Sequence, residues 1–192
     1  GPARPRTRRS PLQHGTIVRM PPPAAGSRRI PDPGFAGDDG AGDQELRTAL
    51  AAYAADPGLQ IGVLLALQSA RLLVPVVAVL GEVEVDDRGL AHDKTSDMAA
   101  ALLTGRDGRQ ALLAFSGLDT LFAWREDARP VPVAARLAAR AALQEGAAAL
   151  VVDVAGPTTY AVEGEVLQRL ARGWTLVDAE QGPAWAEPHH QE

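Results

Sequence analysis

Two apolar runs separated by a turn sequence place the strongest constraint on how this chain folds. The runs cover Met98–Thr104 and Arg109–Phe115, and Gly105-Arg106-Asp107-Gly108 lies between them. Short apolar runs on either side of an Asp-Gly pair are typical of a β-hairpin, because these two residues tolerate the left-handed backbone positions of a tight turn. The sequence therefore predicts an antiparallel hairpin near the middle of the chain.

Helices and further strands are predicted around this hairpin. Apolar residues recur at helical spacing after Asp43, a good N-cap, and Val74–Leu80 is apolar on both faces, as in a buried central strand. The predicted helices cover about 43–56, 59–72, 118–124, 133–145 and 164–172, and the further strands cover about 74–80, 148–154, 158–162 and 174–177. This order predicts an α+β fold, with an antiparallel or mixed β-sheet that contains a central β-hairpin and is covered by helices on one side.

Proline content divides the chain into three segments. Residues 1–42 hold eight prolines and too little apolar surface to offset the entropy of ordering, so we expect a disordered tail rich in proline and arginine. Residues 43–178 form the predicted domain. Residues 179–192 are polar, and we expect them to form a flexible C-terminal tail.

Basic and acidic side chains are unevenly distributed along the chain. Residues 1–29 contain seven arginines and no acid, whereas residues 30–192 contain 12 basic and 24 acidic side chains. Contacts to phosphate require clustered positive charge, so the acidic body argues against a nucleic-acid-binding domain. A nucleic acid partner is therefore expected only through the arginine tail.

Three absences from the sequence exclude further classes of function. The chain has no cysteine, which excludes disulfides, thiolate catalysis and cysteine-ligated zinc and is compatible with the cytoplasmic location that we expect. No uncharged apolar run reaches the roughly 20 residues of a spanning helix, so we expect no membrane partner. The loop Gly81-Glu82-Val83-Glu84 after strand 74–80 lacks the glycine fingerprint of a dinucleotide-binding fold.

Three motifs carry a resemblance to a known family. They are LLVPVVAVL (72–80), ALLAFSGLDTLFAW (111–124) and ALVVDVAGPTTYAV (149–162). In order and spacing they resemble the SseB-like family, which is defined by the N-terminal domain of the SseB protein, and the likeness covers about residues 43–178. The segments RRIPDPGFAGDDG and KTSDMAAALLTGRDGRQALLAF are similar to the actinobacterial branch of that family. The resemblance implies an α+β module with no cofactor and no known catalytic residue. Many members have Asn-Pro-Gly where this chain has Asp153 and the residues after it.

One polar loop of the predicted domain contains several side chains that could bind or react. It contains the candidate interaction residues His92, Asp93, Lys94, Ser96 and Asp97, and it holds the only lysine of the chain. Neighbouring loop residues seldom converge as a catalytic base and nucleophile, and the three possible metal ligands have no supporting cluster, so we expect no metal or cofactor here. A solvated loop is the simplest interpretation, and the functional ones are a surface that binds a partner and an unrecognised enzyme site.

Four residues outside this loop invite functional interpretations but have simpler structural ones. Asp153 follows an apolar strand and is expected to accept backbone N–H bonds from the Gly-Pro turn after it, rather than to act as an acid with a shifted pKa. Phe122 and Trp124 are expected to fill the core rather than to stack on a ligand. Ser116 is expected to cap the helix that begins near Leu118.

The preferred hypothesis for function is a non-catalytic, cytoplasmic interaction or regulatory domain that binds a protein partner or a small ligand. Two alternatives remain. The first is an enzyme with an unrecognised site in the 92–97 loop. The second is a nucleic-acid-associated factor that acts through the basic tail.

Overall fold

The structure is a computed structural model, which describes residues 35–79, 97–180 and 182–188. The helices are α1 (Gln44–Ala55), α2 (Gln60–Ser69), α3 (Leu118–Trp124), α4 (Ala135–Gln144) and α5 (Gly164–Ala171). The strands are β1 (Arg71–Val79), β2 (Asp97–Ala100), β3 (Leu102–Thr104), β4 (Gln110–Ala114), β5 (Arg129–Ala134), β6 (Ala149–Val152), β7 (Tyr160–Glu163), β8 (Thr175–Ala179) and β9 (Gly182–Ala186). The predicted α+β class is confirmed.

The strands form mixed sheets rather than purely antiparallel ones. One sheet has the order β2-β1-β5, a second has the order β3-β4-β6-β7, and β8 pairs with β9. All pairs are antiparallel except β4 and β6, which run parallel. Leu73 and Phe115 exchange two backbone hydrogen bonds of 2.8 Å, which join the first two sheets between β1 and the end of β4.

The predicted hairpin is present, but only part of its first run belongs to it. Leu102–Thr104 pairs with β4, whereas Asp97–Ala100 pairs with β1. At the turn, the Gly108 N–H donates to the Gly105 carbonyl (3.0 Å), and the Gly105 N–H donates to the Arg109 carbonyl (2.8 Å). Gly108 has a φ of +81°, which is the left-handed position that the Asp-Gly pair predicted.

Residues 129–134 form strand β5, so the helix predicted at about 133–145 begins two residues later, at Ala135. Strand β5 contains two prolines, Pro130 and Pro132, which are unusual in a strand. They are two residues apart, so they turn their missing N–H positions toward the same edge of the strand. Since β5 pairs only with β1 among the described strands, it lies at the edge of this sheet, where proline is tolerated.

The core has two parts, one on each face of the strands. Helices α1, α2, α4 and α5 cover the larger part, which contains Leu72, Leu112 and Leu150. The smaller part contains Leu73, Leu113 and Phe115, and Leu121 of α3 packs against it. Helices therefore cover both faces rather than one, because β1 and β4 place apolar side chains on each face alternately.

Residues on both sides of the predicted domain make contacts with it. Residues 35–42 were assigned to the tail, yet Asp38 forms a 2.6 Å ion pair with Arg71, and the Gly40 carbonyl accepts a hydrogen bond from the Leu118 N–H (2.9 Å). At the other end, β9 adds to β8, and the Gln68 amide binds both backbone groups of Leu176. These tertiary contacts stabilise segments whose composition alone predicts disorder. Residues 1–34 and 189–192 of the predicted tails lie outside the described residues.

Within the described ranges, no helix is long and apolar enough to cross a membrane.

Candidate functional site

The parallel pair β4 and β6 brings two polar residues to one edge of the sheet. Ser116 follows β4 and Asp153 follows β6, and the carboxyl ends of parallel strands are a common place for ligands. A cavity of about 140 Å³ opens at this edge. It is lined by side chains from α1, from the β4–α3 junction and from the loop after β6, namely Arg47, Leu50, Ala51, Ser116, Asp119, Thr120, Asp153, Pro157 and Thr158.

Asp153 lies in the wall of this cavity with only 3% of its surface exposed. Its Oδ1 atom accepts hydrogen bonds from the Ser116 N–H (2.8 Å) and the Thr120 hydroxyl (2.6 Å). Its backbone has a φ of +54°, a left-handed conformation that aspartate and asparagine adopt more readily than most residues. The carboxylate therefore ties the ends of β4 and β6 to the start of α3.

The predicted partner of Asp153 was wrong, although the predicted kind of interaction was right. The N–H of Gly156, in the Gly-Pro turn, donates to the main-chain carbonyl of Asp153 (2.9 Å) rather than to its carboxylate. The hydroxyl of Thr159 donates to the same carbonyl (3.1 Å). The Asp153 carbonyl bonds within its own loop, whereas the Asp153 side chain bonds to the residue after β4.

Ser116 is completely buried, and its hydroxyl lacks a hydrogen-bond partner among the described residues. The prediction that it caps α3 was wrong, because the N-cap residue is Gly117 and no side chain bonds there. A buried polar group without a partner typically costs about 1–3 kcal/mol. Ser116 is also one of the residues that line the cavity.

Arg47 reaches the cavity from α1 and lies in a cradle made by two glycines. A Cβ atom on Gly42 would overlap the guanidinium group, and one on Gly117 would come within 2.6 Å of it. The guanidinium forms an ion pair with Asp119, and this hydrogen bond holds the pKa of the Asp119 carboxyl below its usual value. Its buried Nε–H has no acceptor among the described residues.

The two aromatic residues of α3 have different environments, and neither lines the cavity. Trp124 packs against Phe115 with ring centres 5.5 Å apart, which confirms its predicted role in the core. Phe122 is 41% exposed, so its predicted core role was wrong. Because it lies one position after the buried Leu121 on a short helix, its side chain points away from the sheet.

None of the residues that line the cavity belongs to the predicted interaction loop. His92, Asp93, Lys94 and Ser96 lie outside the described residues. Asp97 is the first residue of β2, where it pairs with Val79 of β1. In the part of the chain that the structure describes, no three histidine, aspartate or glutamate side chains are grouped so that they could hold a metal ion.

Sequence reasoning singled out two members of the site but missed the site itself. Asp153 and Ser116 attracted attention as polar residues after apolar runs, and each received a local explanation. Arg47 lies on an exposed turn of a predicted helix and carries no signal that separates it from other arginines. An aspartate directly after one strand and a serine directly after another would indicate the site only if the two strands were known to be parallel neighbours.

Comparisons with known proteins agree with the motifs in these strands. A family model for the SseB protein N-terminal domain matches residues 46–169, a range that contains the strand ends and the lining residues of the cavity. No curated protein sequence and no solved structure matches the chain. Because the family match covers well over half of the chain and the whole of its central sheet, the chain belongs to the family of the SseB protein N-terminal domain.

Proposed function

We propose that this domain is a non-catalytic binding module whose ligand occupies the cavity at the carboxyl ends of β4 and β6. The observation that carries the proposal is Ser116, which lines the cavity and whose buried hydroxyl has no hydrogen-bond partner among the described residues. Buried polar groups in native proteins are nearly always hydrogen-bonded. A ligand that bonds to this hydroxyl gives it the partner that the described residues do not supply.

The arrangement of the lining residues favours binding over catalysis. A serine nucleophile needs a base within hydrogen-bond reach of its hydroxyl, and none of the described residues forms such a bond with Ser116. The nearby Asp153 accepts the backbone N–H of Ser116 instead, and its Oδ1 is already bonded by Thr120. These contacts hold the walls of a cavity in place, which is what a binding site requires.

The wider setting of this function rests on the sequence. We infer a cytoplasmic regulatory role in a member of the actinobacterial branch, from the cysteine-free composition and from the motifs at 28–40 and 94–115. A protein partner at the loop of His92, Asp93, Lys94, Ser96 and Asp97 remains a second proposal. An enzyme site in that loop and a nucleic acid contact through the arginine tail remain the alternatives.

The proposal is tested by blocking the mouth of the cavity. Ala51 lines the cavity from an exposed position on α1, so Ala51→Trp narrows the mouth without entering the core. The wild-type chain is screened by ¹⁵N NMR against polar compounds of up to about eight non-hydrogen atoms. We expect compounds that shift the amide signals of Ser116 and Asp153, and we expect the Ala51→Trp variant to lose these shifts.

Ala52→Trp is the matched control. Ala52 is also exposed on α1 but does not line the cavity. The Ala52→Trp change therefore adds the same side chain to the same helix without narrowing the mouth of the cavity. Compounds that bind the cavity keep their shifts in this variant. The proposal is wrong if no compound perturbs the cavity amides, or if both tryptophan variants bind as the wild type does.

A further inference from the structure

Asp153 is a buried carboxylate that has no cationic partner among the described residues. The two groups that donate to it, the Ser116 N–H and the Thr120 hydroxyl, are both neutral. Buried charges in proteins are as a rule paired with an opposite charge, because desolvation of an unpaired ion is costly. The wall of the cavity therefore contains a carboxyl group that has no ion-pair partner in the described part of the protein.

The one cationic residue that lines the cavity, Arg47, pairs with a carboxylate other than that of Asp153. Arg47 forms its ion pair with Asp119, and none of the salt bridges among the described residues includes Asp153. The lining residues contain one arginine and two aspartates, so their formal charge is negative. Both hydrogen bonds to Asp153 end on Oδ1, and the carboxylate has a second oxygen, Oδ2, with acceptor capacity of its own.

We propose that the cavity binds a primary ammonium group, which pairs with Asp153 while an oxygen of the ligand bonds to the Ser116 hydroxyl or the Arg47 Nε–H. This inference deepens the proposed function and rests on it. The volume of about 140 Å³ sets the size of the ligand. A cavity of roughly 150 Å³ admits benzene, so the group inside has about six non-hydrogen atoms.

The test compares three small molecules of nearly equal size that differ in charge. Ethanolamine carries an ammonium and a hydroxyl group, ethylene glycol is its neutral counterpart, and glycolate is the anion. Each is titrated into the full chain while the NMR signals of Ser116, Thr120 and Asp153 are followed. We expect ethanolamine to half-saturate the site at a concentration at least about tenfold lower than ethylene glycol, and glycolate to bind least.

Asp153→Asn separates the charge from the structural role of the side chain. The amide oxygen still accepts both hydrogen bonds, and asparagine tolerates the left-handed backbone, so the fold is retained. We expect ethanolamine binding to weaken about thirtyfold or more, with ethylene glycol unaffected. Asp127→Asn is the control, since it removes the same charge from an exposed residue whose one ion pair among the described residues is with Arg125; it leaves the binding of all three molecules unchanged.

A lysine side chain carries the same ammonium group as a free amine, and a fourth titration distinguishes the two sources. Lysine with both its backbone groups capped is added in place of ethanolamine. Tighter binding of capped lysine indicates a side chain of a protein partner, and tighter binding of ethanolamine indicates a free small amine. Either result supports the ammonium assignment.

Two results would overturn the assignment without overturning the proposed function. One is binding of ethylene glycol or glycolate that equals or exceeds that of ethanolamine and is lost in Ala51→Trp. The other is a folded Asp153→Asn variant that binds ethanolamine as the wild type does. If none of the four molecules shifts the cavity signals, the ammonium assignment is wrong, and the compound screen then decides the proposed function separately. The comparison of charges in the wild-type chain also holds if Asp153→Asn does not fold.

Discussion

Both ends of the parallel pair β4 and β6 have one arginine and two carboxylates, which are exposed at the amino end and partly buried at the carboxyl end. At the amino end, Arg109 contacts Asp107 at 2.5 Å and Glu163 at 3.5 Å, and its side chain is 59% exposed. At the carboxyl end, one arginine and two aspartates line the cavity, but the ion pair of Arg47 among the described residues is with Asp119, and Asp153 is buried without one.

Cavities of similar volume lie at both ends, about 160 Å³ at the amino end and about 140 Å³ at the carboxyl end. Neither volume nor composition therefore identifies a functional site in this domain. The difference lies in hydrogen bonding. The arginine at the amino end contacts both carboxylates in solvent, whereas the carboxyl end has a buried hydroxyl and a buried Nε–H without partners. Unsatisfied buried groups distinguish the carboxyl end, where we propose that a ligand binds, from the solvated ion cluster at the amino end.

The largest expected effect comes from removing the buried carboxylate. Asp153→Ala leaves the Ser116 N–H and the Thr120 hydroxyl without their acceptor and places alanine at a φ of +54°. We expect the free energy of unfolding to fall by about 3 kcal/mol, measured by urea denaturation. The matched change at the amino end, Asp107→Ala, removes an exposed ion pair with Arg109 and an exposed acceptor of the Arg109 N–H (3.1 Å), and should cost no more than about 1 kcal/mol. Equal losses in the two variants would contradict the distinction between the two ends.

The second expected effect concerns the segment that supports the cavity end. Residues 35–42 bring Gly42 against Arg47, Gly40 against Leu118 and Asp38 against Arg71. A chain that starts at residue 43 should therefore lose about 2 kcal/mol of stability relative to one that starts at residue 35. The check is the melting temperature of both fragments. Identical values would show that residues 35–42 contribute nothing and would restore the domain boundary predicted from the sequence.

At the amino end, the expected effect is smaller and comes from the backbone rather than from charge. Gly108 has a φ of +81° and open space around it, so Gly108→Val is strained only by its conformation. We expect a loss of about 1 kcal/mol or slightly more in the free energy of unfolding. Gly108→Asn is the control, because asparagine tolerates this conformation and should keep most of the stability. A neutral valine variant would argue against the left-handed turn.

The smallest expected effect is the acid dependence of the Arg47–Asp119 pair. The hydrogen bond from Arg47 lowers the pKa of Asp119, so the folded state favours the charged carboxylate. The resulting stability is present above the unfolded pKa of about 3.9 and is lost as the pH falls through the lower folded pKa.

Because the Asp119 side chain is 64% exposed, we expect no more than about 0.5 kcal/mol from this pair. NMR titration of the Asp119 carboxyl gives the pKa directly, and urea unfolding of Asp119→Asn between pH 2 and pH 6 gives the difference in stability. A normal pKa for Asp119 would mean that Arg47 is free to pair with a carboxylate in the cavity, which would weaken the argument for a cationic ligand.

Local patterns were sufficient to predict most elements of the fold. The N-cap at Asp43 is confirmed by its hydrogen bond to the Leu46 N–H (3.0 Å), and Gly108 has the predicted left-handed φ. These features depend on a few neighbouring residues, whose preferences are expressed in any tertiary setting. Strand β5 was missed because its prolines are compatible with a strand only at a sheet edge, and the position of a strand in a sheet is not a local property.

The sequence by itself determined the α+β class, the family and the polar residues that end β4 and β6. Only the tertiary structure decided what those residues do. Ser116 and Asp153 lie 37 positions apart, and they meet because β4 and β6 are parallel neighbours. The Ser116 hydroxyl is buried there, and α1 and residues 35–42 place Arg47 in the lining of the same cavity. Burial and hydrogen-bond partners are properties of the packed chain, so a site defined by unsatisfied buried groups becomes visible only when the chain is folded.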